Sequence, residues 1–112
     1  MKVAWRVWLD NNGKAFGKGP YELLRLVEQT NSLHRATRQL RMSYSKAWRL
    51  LQMIEKRLGY PLLERSVGGS SGGGSQITPA ARELMKRYAR FQRDIENILP
   101  KIYRKHFENM GK

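Results

Sequence analysis

Ser43-Tyr44-Ser45-Lys46-Ala47-Trp48-Arg49-Leu50-Leu51-Gln52-Met53-Ile54-Glu55-Lys56-Arg57-Leu58 is the stretch on which the reading of this chain turns. At about 100° per residue, Ala47, Leu50, Leu51, Ile54 and Leu58 fall on one face of a helix. Ser45, Arg49, Gln52 and Lys56 fall on the other, with Lys46 at its edge and Glu55 on the flank nearer the apolar side. The outward face carries hydroxyl, guanidinium, amide and ammonium groups and no acid. A helix that packs by one face and offers those groups on the other can enter a DNA major groove. A basic face that is merely solvated has the same pattern, so the flanking sequence has to decide.

The residues before it form a second, shorter helical pattern. Ser32 is placed to cap it, and Leu33, Ala36 and Leu40 recur on one side. Ala36 is small where two helices must approach closely, and Leu40 and Met42 flank a turn. Ser43 then caps the helix that follows by offering its hydroxyl to exposed first-turn N–H groups. Ser32 to Gly59 therefore reads as helix-turn-helix. Such turns often contain glycine, whereas the corresponding position here holds Arg41.

Composition agrees with a polyanionic partner. The chain has 112 residues, 22 Lys+Arg against 9 Asp+Glu, a formal charge of +13 and a pI near 10.7. That excess favours nucleic acid over membrane. No apolar run approaches the roughly 18 residues that span a bilayer, and Met1 to Arg6 has no apolar signal-peptide core. With no cysteine there is no disulfide framework, thiolate metal site or cysteine nucleophile. A cytoplasmic location is the expectation.

Upstream, Lys2 to Asp10 alternates, with Val3, Trp5, Val7 and Leu9 on one side, which predicts a half-buried strand closed at Asn11-Asn12-Gly13. A Gly- and Lys-rich loop to Gly19 follows. Pro20 then opens a packing helix carrying Leu23, Leu24, Val27 and Thr30. Downstream, Tyr60 to Ser66 reads as a turn and short strand, Val67 to Ser75 as a Gly/Ser-rich tip, and Gln76-Ile77-Thr78 as a second strand. A hairpin after a helix-turn-helix is a wing. A flexible Gly/Ser linker is the competing reading, although it would leave only Gly59–Ser66 between the linker and the helix-turn-helix. A Walker A loop fails because Ser75, not lysine, follows Gly74.

Thr78 and Pro79 open a long helix. Leu84, Tyr88, Phe91, Ile95, Ile98 and Ile102 are spaced four, three, four, three, four, a heptad seam that Met85, Leu99 and Tyr103 widen. A second copy of the same helix is the expected cover, with packing onto the chain's own core as the alternative. Pro100 should kink or split this helix near Leu99.

These residues carry a resemblance. Ala36…Leu40-Arg41-Met42-Ser43-Tyr44-Ser45-Lys46-Ala47-Trp48, followed by Glu55…Leu58-Gly59-Tyr60-Pro61-Leu62-Leu63-Glu64-Arg65, resembles the winged helix of LysR-type regulators. With Ser66-Val67-Gly68-Gly69…Gly72-Gly73-Gly74…Ile77-Thr78 added, the chain is similar, more narrowly, to the N-terminal DNA-binding domain of the ModE family of molybdate-dependent transcriptional regulators. Full-length members of that family carry C-terminal oxyanion-binding domains. This chain ends at Lys112, so no molybdate sensing, cofactor or small-molecule ligand is expected of these residues.

The expected architecture is α+β, mainly α. It has an N-terminal strand, a winged helix-turn-helix over residues 1–78 with a two-stranded glycine-rich wing, and a dimerisation helix over residues 79–112. The expected partners are double-stranded DNA and a second copy of the chain. DNA contacts are expected from Ser43, Tyr44, Ser45, Lys46, Arg49, Gln52 and Lys56 on the reading helix, and from Arg65, Ser70 and Ser71 on the wing. Leu84, Tyr88, Phe91, Ile95, Ile98, Leu99 and Ile102 are the expected dimer contacts. The function implied is transcription regulation from a pseudo-palindromic operator. The alternative is a sequence-tolerant nucleic-acid binder, an architectural DNA protein or an RNA-binding accessory. Catalysis has little to stand on, since His34 and His106 are the only histidines and no carboxylate pair has acid/base or metal-ligand spacing.

Overall fold

A computed structural model describes residues 1–65 and 74–110. Its elements in chain order are β1 (Leu9–Asp10), β2 (Lys14–Phe16), α1 (Lys18–Thr30), α2 (Leu33–Gln39), α3 (Tyr44–Leu58), β3 (Leu63–Arg65), β4 (Ser75–Ile77) and α4 (Pro79–Phe107). This is the mainly helical α+β arrangement of a winged helix-turn-helix.

The helix boundaries follow local chemistry. Ser32, Ser43 and Thr78 each accept a hydrogen bond from the backbone N–H three residues on, at Arg35, Lys46 and Ala81. Each thereby satisfies one of the donors that a helix start leaves open. Pro79 occupies the first turn of α4, where its missing N–H costs nothing. Gly59 ends α3 in the left-handed region at φ 88°, its N–H bonded to the Glu55 carbonyl. Arg41 takes the same region at φ 54° in the turn between α2 and α3. The turn thus has the backbone shape that usually selects glycine, built with an arginine.

The alternation from Val3 to Leu9 is real in burial: the odd residues are half-buried and the even ones exposed. The long first strand is nevertheless shortened to Leu9–Asp10. Its partner is β2, which lies in what reads from sequence as a loop, and β2 has only three residues before Gly17 turns the chain into α1. Residues before Leu9 therefore have no ladder to join. Val7 is held differently, by the Tyr88 hydroxyl, which donates to its carbonyl at 3.1 Å.

The β1–β2 turn closes on the end of α3. Asn11 donates to the Arg57 carbonyl at 2.7 Å, and the Arg57 guanidinium donates to the Lys14 carbonyl at 2.6 Å. The φ of 128° at Gly13 favours glycine there, and a Cβ would stand 2.7 Å from the Arg57 guanidinium carbon and push that side chain aside.

One core joins all four of these helices. Phe16, Leu23, Leu24, Val27, Leu33, Ala36, Ala47, Leu51, Ile54, Leu62 and Ile77 are buried together with Ala81, Met85 and Tyr88 of α4. The helix from Pro79 thus begins as part of the winged domain. Tyr88 packs edge-on against Phe16, with ring centroids 5.2 Å apart, and burial raises its phenol above the usual tyrosine range. Beyond Tyr88 the helix leaves the core and runs on through Pro100 to Phe107 without being split there. The result is long: 62 × 27 × 21 Å, with a radius of gyration of 17.5 Å against about 13 Å for a compact chain of this length.

Candidate nucleic-acid interface

The geometry of the interface starts from the buried side of α3. Ala47, Leu51 and Ile54 are fixed in the core, with Leu50 and Leu58 packed at its margin. That anchoring turns Ser45, Lys46, Arg49, Gln52 and Lys56 outward, and all five are exposed. None of these side chains makes an ion pair or side-chain hydrogen bond among the described residues. An arginine and a glutamine one turn apart, both unengaged, match the bidentate patterns of guanine and adenine edges. Ser45, Lys46 and Lys56 are suited to phosphate or hydroxyl-mediated contacts beside them.

The N-terminal end of α3 is braced by α2. The His34 imidazole lies flat on the Tyr44 ring, centroids 3.9 Å apart and planes 7° off parallel. Ser43 spends its hydroxyl oxygen on the Lys46 N–H at 3.1 Å. His34 is therefore a bracing residue, a role that its isolated place in the sequence does not reveal.

The wing root is tied to the opposite flank. β3 and β4 pair antiparallel in the register Leu63↔Ile77, Glu64↔Gln76 and Arg65↔Ser75, the hairpin expected after the helix-turn-helix. Glu55 accepts the N–H of Leu62 at 2.6 Å and of Leu63 at 3.4 Å. Thr78 donates its N–H to the Leu62 carbonyl at 3.0 Å and its hydroxyl to the Pro61 carbonyl at 2.8 Å. On the α1 side, the Ser75 N–H donates to the Asn31 carbonyl at 3.1 Å. Arg65 is exposed and lays its guanidinium over the Trp48 ring, 4.4 Å from Cζ to the centroid. Ser70, Ser71 and the rest of the glycine-rich tip lie outside the described residues. Sequence periodicity missed the parts played by Trp48 and Glu55. Each acts across 7 to 17 residues of chain, and the helical wheel alone ranks them as flank positions.

The seven expected dimer residues divide. Tyr88 is 2% exposed and belongs to the core of its own chain, with its hydroxyl accepting from Gln92 at 2.6 Å. Leu84 packs partly against that core as well. Intramolecular packing thus takes the N-terminal end of the seam. Beyond it, Phe91, Ile98 and Ile102 are 42, 53 and 46% exposed, with Ile95 and Leu99 half-buried between them. Phe91, Ile98 and Ile102 are thus left largely uncovered by the described residues of one chain.

Residues 21–82 match the family described as bacterial regulatory helix-turn-helix protein, lysR family. Among curated relatives, the molybdenum-pterin-binding protein MopB of Rhodobacter capsulatus is 30% identical over 98 residues, 88% of this chain and 36% of that protein. The transcriptional regulator ModE of Haemophilus influenzae is 36% identical over 75 residues, 67% of this chain and 29% of its own length. The molybdenum transport protein ModE of Herbaspirillum seropedicae is 38% identical over 73 residues, 65% of this chain and 27% of its own. The chain thus spans about a third, or less, of the length of these relatives.

Proposed function

The chain belongs to the lysR family of bacterial regulatory helix-turn-helix proteins, and from that premise we propose that it is a cytoplasmic DNA-binding transcriptional regulator acting as a homodimer. The observation that carries the reading is the row Ser45, Arg49, Gln52 and Lys56, exposed and unengaged on a helix whose other face is locked in the core. Arg49 and Gln52 discriminate base edges in the major groove, while Lys46, Lys56 and Arg65 meet the backbone on either side. The wing, rooted on Glu55 and Thr78, follows the adjacent phosphates. Regulation through binding, with no catalytic step, is the activity this arrangement serves. No helix of the described residues is long and apolar enough to cross a membrane.

Two copies joined through Phe91, Ile95, Ile98, Leu99 and Ile102 give the reading its specificity. A single reading helix spans few base pairs, and a two-fold dimer doubles them and makes the site a pseudo-palindrome with half-sites about 10 bp apart, or a multiple of that. The test is selection of bound duplexes from a random pool by the purified protein. A motif with two related half-sites is the expected product. A flat profile, with equal affinity and equal salt slope on all duplexes, would replace this reading with the sequence-tolerant binder that the +13 charge also permits.

A further inference from the structure

We propose that Trp48 is a positioning residue for Arg65: its indole face holds the guanidinium at the root of the wing in the attitude that meets a DNA phosphate. The inference rests on the DNA-binding reading above and adds to it a residue that does not itself face the groove.

The geometry is specific. Trp48 lies on α3 between the buried residues Ala47 and Leu51 and the outward row Ser45, Arg49 and Gln52, on the flank that faces the wing. Its ring is half-buried and therefore fixed by packing. Arg65 is the last residue of β3, and its Cζ sits 4.4 Å from the ring centroid. Arg65 makes no ion pair among the described residues, so the aromatic face is what holds it.

A guanidinium held over an aromatic face spends none of its N–H groups on an acid, and those are the groups that pair with phosphate oxygens. An arginine already confined to one attitude also loses less freedom when it binds than one sampling open solvent. Glu55 strengthens the case. It lies seven residues after Trp48, on the same flank two turns along, and it takes the N–H groups of Leu62 and Leu63. Strand β3 is therefore held to α3 at both ends, by Glu55 at Leu63 and by Trp48 at Arg65. The distance between the guanidinium and the reading row is set by these two ties.

The experiment measures the slope of log affinity against log salt on a selected duplex for the unsubstituted protein, Arg65→Ala, Trp48→Leu, Trp48→Phe and the Trp48→Leu/Arg65→Ala pair. Circular dichroism confirms folding, and Trp48→Met replaces Trp48→Leu if the latter does not fold. Each phosphate contact contributes about 0.9 to the slope, so Arg65→Ala should be shallower by about that amount. Over a fourfold rise in salt its affinity then falls roughly 3.5-fold less than that of the unsubstituted protein. Trp48→Leu should show the same shallower slope although Arg65 is intact. Trp48→Phe should restore it, and the double variant should be no shallower than Arg65→Ala. A full slope in Trp48→Leu beside a shallow one in Arg65→Ala overturns the proposal and leaves Trp48 as packing. No binding of any duplex by the unsubstituted protein overturns the underlying DNA-binding reading instead.

Discussion

The carboxylate of Glu55 accepts the backbone N–H of Leu62 at 2.6 Å, so α3 itself holds the chain where it turns into β3. Leu62 is fully buried, so removing the Glu55 carboxylate takes from its N–H the acceptor it has. A hydrogen bond to a charged group contributes about 1.5–3 kcal/mol. Glu55→Ala should destabilise the protein by that amount, and Glu55→Gln, which keeps an acceptor oxygen, by less. Urea unfolding midpoints of the three proteins check this. Equal midpoints for Glu55→Ala and the unsubstituted protein would mean that the wing root is held elsewhere.

Arg41 offers a test of opposite sign. A side chain in the left-handed region costs about 1–2 kcal/mol, and glycine gives back about 0.5–1 kcal/mol through its freer unfolded chain. With φ at 54° in an exposed turn, Arg41→Gly should stabilise by roughly 0.5–1 kcal/mol, the net of those two effects. Arg41→Val should destabilise. A loss of stability in Arg41→Gly would show that the guanidinium makes a contribution larger than the strain of its backbone.

These two positions also show what was legible beforehand. The helix-turn-helix and the inward face of α3 follow from short-range periodicity and capping, which are properties of consecutive residues. The half-buried alternation of Val3 to Leu9 was legible for the same reason. Its partner β2 was not, because Lys14-Ala15-Phe16 is too short for a pattern and is flanked by glycines that read as loop. The outward row Ser45, Arg49, Gln52 and Lys56 came from the wheel, and the supports under it did not. Glu55 to Leu62, Trp48 to Arg65 and His34 to Tyr44 are contacts across turns, fixed only once the chain has folded back. Tyr88 satisfied the heptad count, yet the two aromatic rings that enclose it, Phe16 and Tyr21, come from the other end of the chain.

Base discrimination should separate residue by residue along α3. Arg49→Ala and Gln52→Ala should each relax preference at one or two base pairs, by about 1–3 kcal/mol of discrimination. Lys56→Ala should instead weaken all duplexes alike. Competition binding against a panel of single-base variants measures both. Uniform weakening by Arg49→Ala would reassign that residue to the phosphates.

Dimerisation should depend on the outer half of the α4 stripe. Burying Phe91, Ile95 and Ile98 against a partner contributes roughly 1.5–3 kcal/mol for each side chain. Phe91→Asp with Ile95→Asp should yield a folded monomer, because the buried face of α4 ends at Tyr88. Operator affinity should drop steeply while weak, salt-sensitive binding remains. Sedimentation equilibrium of both proteins is the measurement. An unsubstituted protein that is monomeric at tens of micromolar would rule out the dimer.

The projection of α4 beyond the core carries a hydrodynamic penalty. A particle whose long axis is more than twice either of the others drags more solvent than a sphere of the same 13.1 kDa. It therefore diffuses slowly and leaves a sizing column early. A lone chain of this shape would register there as something heavier, so early elution by itself does not report a second copy.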